Sequence, residues 1–284
     1  MRNSRFARCL LIWSATTSVA FAADADLRLV RELTAEGDHA GSAIEFRRLA
    51  LSNPDADAQA VYFWSAAFEL WRAGDFSRAD TLLDRAEDLQ ALPNHELTLL
   101  RGELALSRSA PGEAAFFFES AARDAEGDAR DFSLRKQVAA QLISGDREAA
   151  QRTAMAAGGD VERIANEYTR GRSKSPTLGG WLGLVPGLGY AYAGEYANAA
   201  RSVILNGLFI WGMVETAERD QWGGFAALTF FEFTWYSGSI YGGVDASHRY
   251  NQRRLKKAEA ALTAGYALQP DYTALPALQL RYRW

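Results

Sequence analysis

The chain has 284 residues, a length that accommodates one large domain or two medium-sized domains. Its hydrophobic content of 48% and mean hydropathy of −0.20 are ordinary for a folded protein, whereas a chain embedded entirely in a membrane would have a mean hydropathy well above zero. The net charge of −4 argues against a general nucleic-acid-binding protein, and we expect no nucleic-acid partner.

The first 22 residues have the pattern of a secretory signal peptide. Three arginines precede an apolar run at residues 9–21, and the Ala-Phe-Ala sequence at residues 20–22 fits the rule for signal cleavage. An uncleaved anchor helix is the alternative, although the run is short for a full membrane span. Because the single cysteine, Cys9, lies within this signal, we expect no disulfide and no cysteine-bound metal in the mature chain.

Residues 24–165 have helical spacing and contain an internal repeat. Four segments align on a shared turn position, which falls at Gly37, Gly74, Ser109 and Gly145. The turn therefore recurs at steps of 37, 35 and 36 residues. A repeat of this length indicates a series of helical hairpins.

This repeat resembles the tetratricopeptide repeat (TPR), whose period is about 34 residues. In that family a Gly-Asp-aromatic turn ends the first helix, and the second helix then carries a small residue, a larger residue and a further small residue at successive turns. In this sequence the positions are Ser42, Phe46 and Leu49; Ala79, Leu83 and Ala86; Ala114, Phe118 and Ala121; and Ala150, Ala154 and Ala157. The third repeat lacks the Gly-Asp pair and the fourth lacks the larger residue, so a plain array of α-hairpins is the alternative.

An aromatic stripe on the first helix of the second repeat is the candidate site for a protein or peptide partner. Trp64, Phe68 and Trp71 recur at i, i+4 and i+7 and therefore share one helix face. In TPR-like solenoids this face would line the concave side, where partner segments usually bind. The alternative is that neighbouring helices cover the stripe.

The residues of this half give no indication of an enzyme. His39 and His95 lie in turns without a patterned nucleophile or metal-ligand partner. Acidic residues recur at i, i+4 relative to arginines, which is typical of a solvated helix face. We therefore expect no catalytic residues, no cofactor and no metal site.

A basic linker at residues 166–176 separates the repeats from an apolar module at residues 177–247, and a basic helix with a C-terminal tail follows at residues 248–284. The module contains three apolar stretches: residues 178–193, 203–214 and 223–244. The third of them is long enough to span a bilayer. The sequence thus predicts an all-α protein, a TPR-like helical-hairpin solenoid followed by a small bundle of two or three hydrophobic helices.

The first apolar stretch contains a breaker motif, which consists of the helix breakers Pro186, Gly187, Gly189 and Gly194 together with Tyr192. Proline removes a helical hydrogen bond and bends the helix, and tyrosine is common at membrane interfaces. The motif therefore predicts a kinked or re-entrant helix that turns at a membrane surface, with other segments covering its broken backbone.

Glycines at four-residue spacing predict two helix faces for close packing. The first face consists of Gly179, Gly183 and Gly187, and the second consists of Gly238 and Gly242. Self-association of the chain through these faces is a further expectation.

The motif at residues 186–194, followed by an apolar helix with Asn206-Gly207, resembles a bacterial domain family with two short transmembrane helices. The segment at residues 230–254 is similar to part of uncharacterised bacterial proteins that join such a module to tetratricopeptide repeats. The resemblance implies membrane association and no enzymatic activity.

Several polar residues within and beside the module are candidates for a functional site, because ionisable groups inside a membrane are costly. Glu232 is the main candidate, with Asn206 and Arg201 as potential partners and Asp245 and His248 nearby in sequence. The alternatives are an ion, proton or metal site, an interhelical polar contact, or a Glu232 that faces water.

The leading hypothesis is a non-enzymatic envelope protein whose exported, periplasmic repeat domain binds a protein partner while the module contacts membrane lipid. The inner membrane is favoured over the outer membrane. A transport or channel component with Glu232 in an intramembrane polar site is the alternative. The number of membrane crossings stays open, because the basic flanks and the cleaved signal predict different topologies.

Overall fold

The computed structural model describes residues 20–271 and 277–282, and most of the predicted signal peptide lies outside this part of the chain. The described chain is almost entirely helical, which confirms the predicted all-α class at that level. The helices are α1 (Ala20–Glu36), α2 (His39–Ser52), α3 (Ala56–Arg72), α4 (Phe76–Asp88), α5 (Asn94–Ser107), α6 (Pro111–Asp124), α7 (Gly127–Ser144), α8 (Arg147–Ala157), α9 (Gly159–Arg170), α10 (Pro176–Leu182), α11 (Leu188–Tyr192), α12 (Tyr196–Glu218) and α13 (Trp222–Thr263). Two short strands, β1 (Tyr266–Asp271) and β2 (Ala277–Tyr282), form an antiparallel hairpin.

The chain divides into two compact units. The first unit comprises the residues up to Glu162 together with those from Leu262 onward, and the second comprises Arg163–Ala261. The C-terminal hairpin therefore belongs to the first unit, whereas the basic part of α13 up to residue 261 belongs to the second.

Four helical hairpins build the first unit, and a tight turn at each predicted position joins the two helices. Gly37, Gly74, Ser109 and Gly145 all have positive φ, at 82°, 81°, 61° and 85°. Glycine adopts this left-handed conformation without steric cost, which explains three of the four turns. The predicted turn positions are thus confirmed.

The residue after each turn glycine explains why the second helix begins where it does. The Asp38, Asp75 and Asp146 side chains each accept a hydrogen bond from the backbone N–H three residues later. This bond satisfies one of the donors left open at a helix start. The third hairpin has no aspartate there, and its second helix instead begins with Pro111, whose fixed φ suits the first helical position.

The side chains at the three predicted packing levels lie in the core of the first unit. Ser42, Ala79, Ala114 and Ala150 are all fully buried, as are the larger residues at the next level. Only Ala157 among the twelve is half-buried. Small side chains at these positions let successive helices approach closely, which is the physical basis of the predicted pattern.

A buried arginine ties the C-terminal end of α13 to α7 within the first unit. Arg135 makes an ion pair with Asp131 at 2.8 Å and a second one with Asp160 at 2.6 Å. Its Nη1 also donates to the main-chain carbonyl of Leu262 at 3.3 Å, and its guanidinium lies 5.3 Å from the ring centre of Tyr266. The Arg135 side chain thereby contacts groups of three helices and of β1.

In the second unit, α12 and α13 form an antiparallel helical pair. The Ser202 and Ser239 hydroxyls lie 3.3 Å apart, and the Thr229 hydroxyl lies 3.3 Å from the sulfur of Met213. The short helices α10 and α11 precede this pair. Among the described residues, no helix combines the length and the apolarity that crossing a membrane requires.

Candidate functional site

The aromatic stripe predicted to bind a partner lies in the core. Trp64 and Phe68 are each 1% exposed, and their rings stack 5.6 Å apart. The indole of Trp64 donates to the carbonyl of Glu96, and that of Trp71 donates to the Ser107 hydroxyl at 2.9 Å. Because both acceptors belong to α5, this next helix covers the stripe. At these residues the structure therefore shows a covered helix face in place of the expected open groove.

The breaker motif produces two separate helices rather than one kinked helix. Helix α10 ends at Leu182, Pro186 lies in the connecting turn, and Gly187, with φ of 84°, is the N-cap residue directly before α11. Gly187 thus does not share a helix with Gly179 and Gly183, and the predicted three-glycine face is wrong at that position. A Cβ at Gly187 would lie 2.5 Å from the carbonyl oxygen of Ala199, so the turn packs directly on α12.

Glycines from three helices of the second unit meet at one backbone crossing. A Cβ at Gly189 would lie 2.6 Å from the carbonyl oxygen of Gly179 and 2.8 Å from the Cα of Gly243. A Cβ at Gly183 would lie 2.7 Å from the Cα of Ile240. Such distances leave no room for any side chain, so α10 and α11 pack on α13 through their backbones.

The second glycine face differs from the predicted one. Gly243, rather than Gly238, faces the crossing, and a Cβ at Gly238 would have no neighbour within 4 Å. Gly242 lies under the ring of Tyr190. The spacing of the glycines was informative, but spacing alone does not determine which side of a helix meets its neighbour.

The remaining motif residues organise the polar end of this unit. The Tyr192 hydroxyl accepts a hydrogen bond from the backbone N–H of Ser175 at 3.0 Å, and the Lys174 ammonium lies 4.5 Å from the centre of the Tyr192 ring. Gly194, with φ of 78°, forms the turn that leads into Glu195, which occupies the N-cap position of α12. Lys174 also exchanges main-chain hydrogen bonds with the Asn251 side chain at 2.9 and 2.8 Å.

The predicted polar site is only partly assembled. Asn206 is 1% exposed and Glu232 is 9% exposed, and both lie on the inner side of the α12–α13 pair. The Asn206 amide donates to the carbonyl of Ser202, whereas its Oδ1 and the Oε2 of Glu232 have no hydrogen-bond partner among the described residues. Asp245 instead pairs with Arg249, and His248 is exposed. The described residues contain no group of three potential metal ligands.

An ion-pair cluster joins the start of α12 to α13. Both carboxylate oxygens of Glu195 accept from Arg249, at 3.0 and 2.7 Å, and Arg253 and Asn198 add bonds at 3.2 and 2.8 Å. Hydrogen bonds from Arg249 are the main reason that the pKa of Glu195 falls from 4.5 to about 2. Since 54 residues separate the two partners, no local sequence signal predicts the pair.

This cluster predicts a pH-dependent effect of Glu195→Gln. At pH 7 the variant should lower the stability of the second unit by about 1.5–3 kcal/mol, because a charge-assisted pair is lost. The folded-state pKa is depressed, so the contribution of the carboxylate is present above pH 4.5 and declines as the pH falls toward about 2. Denaturant melts from pH 7 to 3 should therefore show a difference that is constant down to about pH 5 and then shrinks. Glu218→Gln, which changes an exposed carboxyl outside the cluster, should show neither effect.

The outer surface of the α12–α13 pair is apolar, in contrast to its inner side. Twelve large apolar side chains there are between 49% and 74% exposed, and we call this surface the apolar band. Its residues are Val203, Ile204, Leu208, Ile210, Trp211, Val214, Trp222, Phe230, Phe231, Phe233, Trp235 and Tyr241. The buried residues between the helices include Ser202, Asn206, Glu232 and Ser239, so polar groups face inward and apolar groups face outward.

Comparisons of the chain with protein-family models, with curated proteins and with solved structures find no match. The interpretation of its function therefore depends on the geometry of the two units.

Proposed function

We propose that this chain is a non-enzymatic adaptor of the bacterial cell envelope, which associates with a membrane through its second unit and holds a protein partner with its TPR-like first unit. The observation that carries the proposal is the reversed polarity of the α12–α13 pair. In a protein surrounded by water, apolar side chains face the core and polar ones face the solvent. Here the arrangement is the opposite, which is the one expected of helices surrounded by lipid.

The size of the apolar band supports this proposal. Moving one large apolar side chain from water into an apolar environment is favourable by about 1.5–3 kcal/mol. Soluble monomers rarely expose apolar patches above a few hundred Å², whereas the band contains seven aromatic side chains, each with about 150–250 Å² of surface. Leaving this surface in water would cost more free energy than a single domain usually gains by folding.

Aromatic residues at the ends of the band are also typical of a membrane interface. Tyr196 and Tyr241 are 73% and 74% exposed at the end near the Glu195 cluster, and Trp222 is 61% exposed at the other end. Tyrosine and tryptophan favour the boundary between lipid tails and water because each combines an apolar ring with a polar atom. The band would then lie in the lipid tails, with these rings at its margins.

The hairpin array of the first unit supports the adaptor role. Its turns and packing levels follow the pattern that resembles tetratricopeptide repeats, whose arrays usually bind proteins or peptides. Since Trp64 and Phe68 are buried, the partner would contact other, exposed faces of the hairpins. Export to the periplasm and location at the inner membrane are part of the same proposal.

Vesicle flotation tests the membrane association. The full chain, diluted from detergent, should float with phosphatidylcholine vesicles, and Trp211→Asn, Phe230→Asn and Phe233→Asn combined should reduce the floating fraction at least tenfold, because about 1.5–3 kcal/mol is lost per side chain. The matched control combines Ile44→Asn, Phe116→Asn and Met155→Asn, three side chains of the first unit that are each 66% exposed.

Equal flotation of the two triple variants would contradict the proposal, since exposure alone would then explain binding. The same vesicles also address the transport alternative, which is favoured by the unpartnered Oε2 of Glu232. Ion leakage through the wild type that Glu232→Gln abolishes would favour a transport component over an adaptor.

A further inference from the structure

The charges of the second unit are segregated along the α12–α13 pair. We call residues 163–175, 195–201 and 245–261 the base, and residues 215–221 the tip. The base carries ten basic and four acidic residues, whereas the tip carries one basic and three acidic residues. Between them, α12 and α13 carry a single acidic or basic side chain, the buried Glu232. The two ends of the unit thus have opposite net charge.

The acidic residues of the base are largely neutralised by its own arginines. Glu195 is bound by Arg249 and Arg253, and Asp245 is bound by Arg249. These pairs link α12 to α13 and neutralise most of the negative charge of the base. The positive charge that is left over therefore faces outward.

Five cations of the base are exposed and take part in no ion pair of the described residues: Arg170, Arg172, Arg201, Lys256 and Lys257. Arg201 lies at the margin of the apolar band, since Val203 and Ile204 follow two and three residues later on α12. Its guanidinium contacts the Asn198 side chain at 3.2 Å, which leaves most of its donors open. Lys256 lies 15 residues beyond Tyr241 on α13, about 22 Å farther along the helix axis.

We propose that the base binds anionic phospholipid headgroups, with Arg201 contacting a lipid phosphate at the margin of the apolar band. This proposal rests on the proposed membrane association. An arginine at this level presents several N–H donors to phosphate oxygens. The remaining cations of the base attract the anionic surface through their field, which extends about 30 Å at 10 mM salt and about 8 Å at 150 mM salt.

The experiment measures how the full chain partitions between water and lipid vesicles. One set of vesicles is pure phosphatidylcholine, and the other contains about 30% phosphatidylglycerol. Each is measured at about 10 mM and about 150 mM salt, the two concentrations that set these ranges. The wild type should prefer the anionic vesicles, and Arg201→Gln should reduce that preference about fivefold at both salt concentrations. Lys256→Gln with Lys257→Gln should reduce it only at the lower concentration. Partition to pure phosphatidylcholine should be unchanged in all variants.

Arg219→Gln at the tip is the matched control, since it changes the net charge by the same amount and should leave the preference unchanged. Equal partition to the two kinds of vesicle, or an equal loss in Arg219→Gln and Arg201→Gln, would overturn the headgroup proposal while the membrane association stands. A wild type that partitions to neither kind of vesicle would instead overturn the membrane association itself.

Discussion

Gly243→Ala is expected to open the packing of α10 and α11 on α13. The added Cβ would overlap the carbonyl oxygen of Gly179 and lie 3.1 Å from the Cα of Gly189. Because these atoms belong to backbones and not to flexible side chains, the helices themselves must separate. Overpacking of this kind costs about 3 kcal/mol. Hydrogen–deuterium exchange in mild detergent should show faster exchange of the backbone amides of α10 and α11.

Gly238→Ala is the matched control on the same helix. Its Cβ meets no atom within 4 Å, and alanine is favoured over glycine in a helix by about 1 kcal/mol. We therefore expect unchanged or slower exchange in this variant. If the two variants behave alike, the close crossing of the three helices is not a determinant of this fold.

Arg135→Met is expected to destabilise the first unit by about 1.5–3 kcal/mol, since the arginine is buried while its two carboxylate partners are partly exposed. Methionine retains much of the apolar stem of the arginine but leaves the carboxylates of Asp131 and Asp160 without their cation. It also removes the hydrogen bond to the carbonyl of Leu262 and the contact with the Tyr266 ring. Exchange of α7 and of the end of α13 should therefore increase, and the midpoint of urea unfolding should fall.

Arg123→Met provides the comparison, since Arg123 makes a helical i, i+4 pair with Glu119 in which both side chains are more than half exposed. Exposed pairs of this kind contribute about 0.3–0.5 kcal/mol. A loss in Arg135→Met no larger than that in Arg123→Met would mean that the contacts of Arg135 do not hold the C-terminal segment.

The turns of the first unit could be predicted because their requirements are local. A left-handed turn favours glycine, and the following helix needs a cap, so each requirement appears directly in a Gly-Asp pair such as Gly74-Asp75. The buried levels of the second helices follow from the helical period in the same way. Even Ser109, which pays a steric cost for its conformation, could be assigned from its spacing relative to Gly74 and Gly145.

The environment of the aromatic stripe could not be predicted from its spacing. Helix α3 buries every residue from Ala60 to Leu70, so neighbours surround it on all sides. A stripe at i, i+4 and i+7 identifies an open face only when the rest of the helix is polar, and α3 is apolar almost all round. The continuous apolar composition was the available signal, and it favours burial of Trp64 and Phe68.

Contacts between distant segments leave no trace in the local sequence. The Glu195–Arg249 pair and the Arg135–Asp160 pair connect residues that are 54 and 25 positions apart, and each depends on how helices are placed in space. The same holds for Gly243, whose role is set by the rotation of α13 about its axis. Asp245 and His248 are near Glu232 in the sequence, yet Asp245 forms an ion pair with Arg249, which also binds Glu195.

The apolar band also makes the solution behaviour of this chain depend on its amphiphilic surroundings. Any amphiphile that coats the band in the native state, but finds no such continuous surface in the unfolded chain, shifts the folding equilibrium by mass action. The midpoint of thermal unfolding should therefore rise with micelle concentration. Dilution below the critical micelle concentration should bring copies of the chain together through their bands, so that light scattering increases before any helix melts.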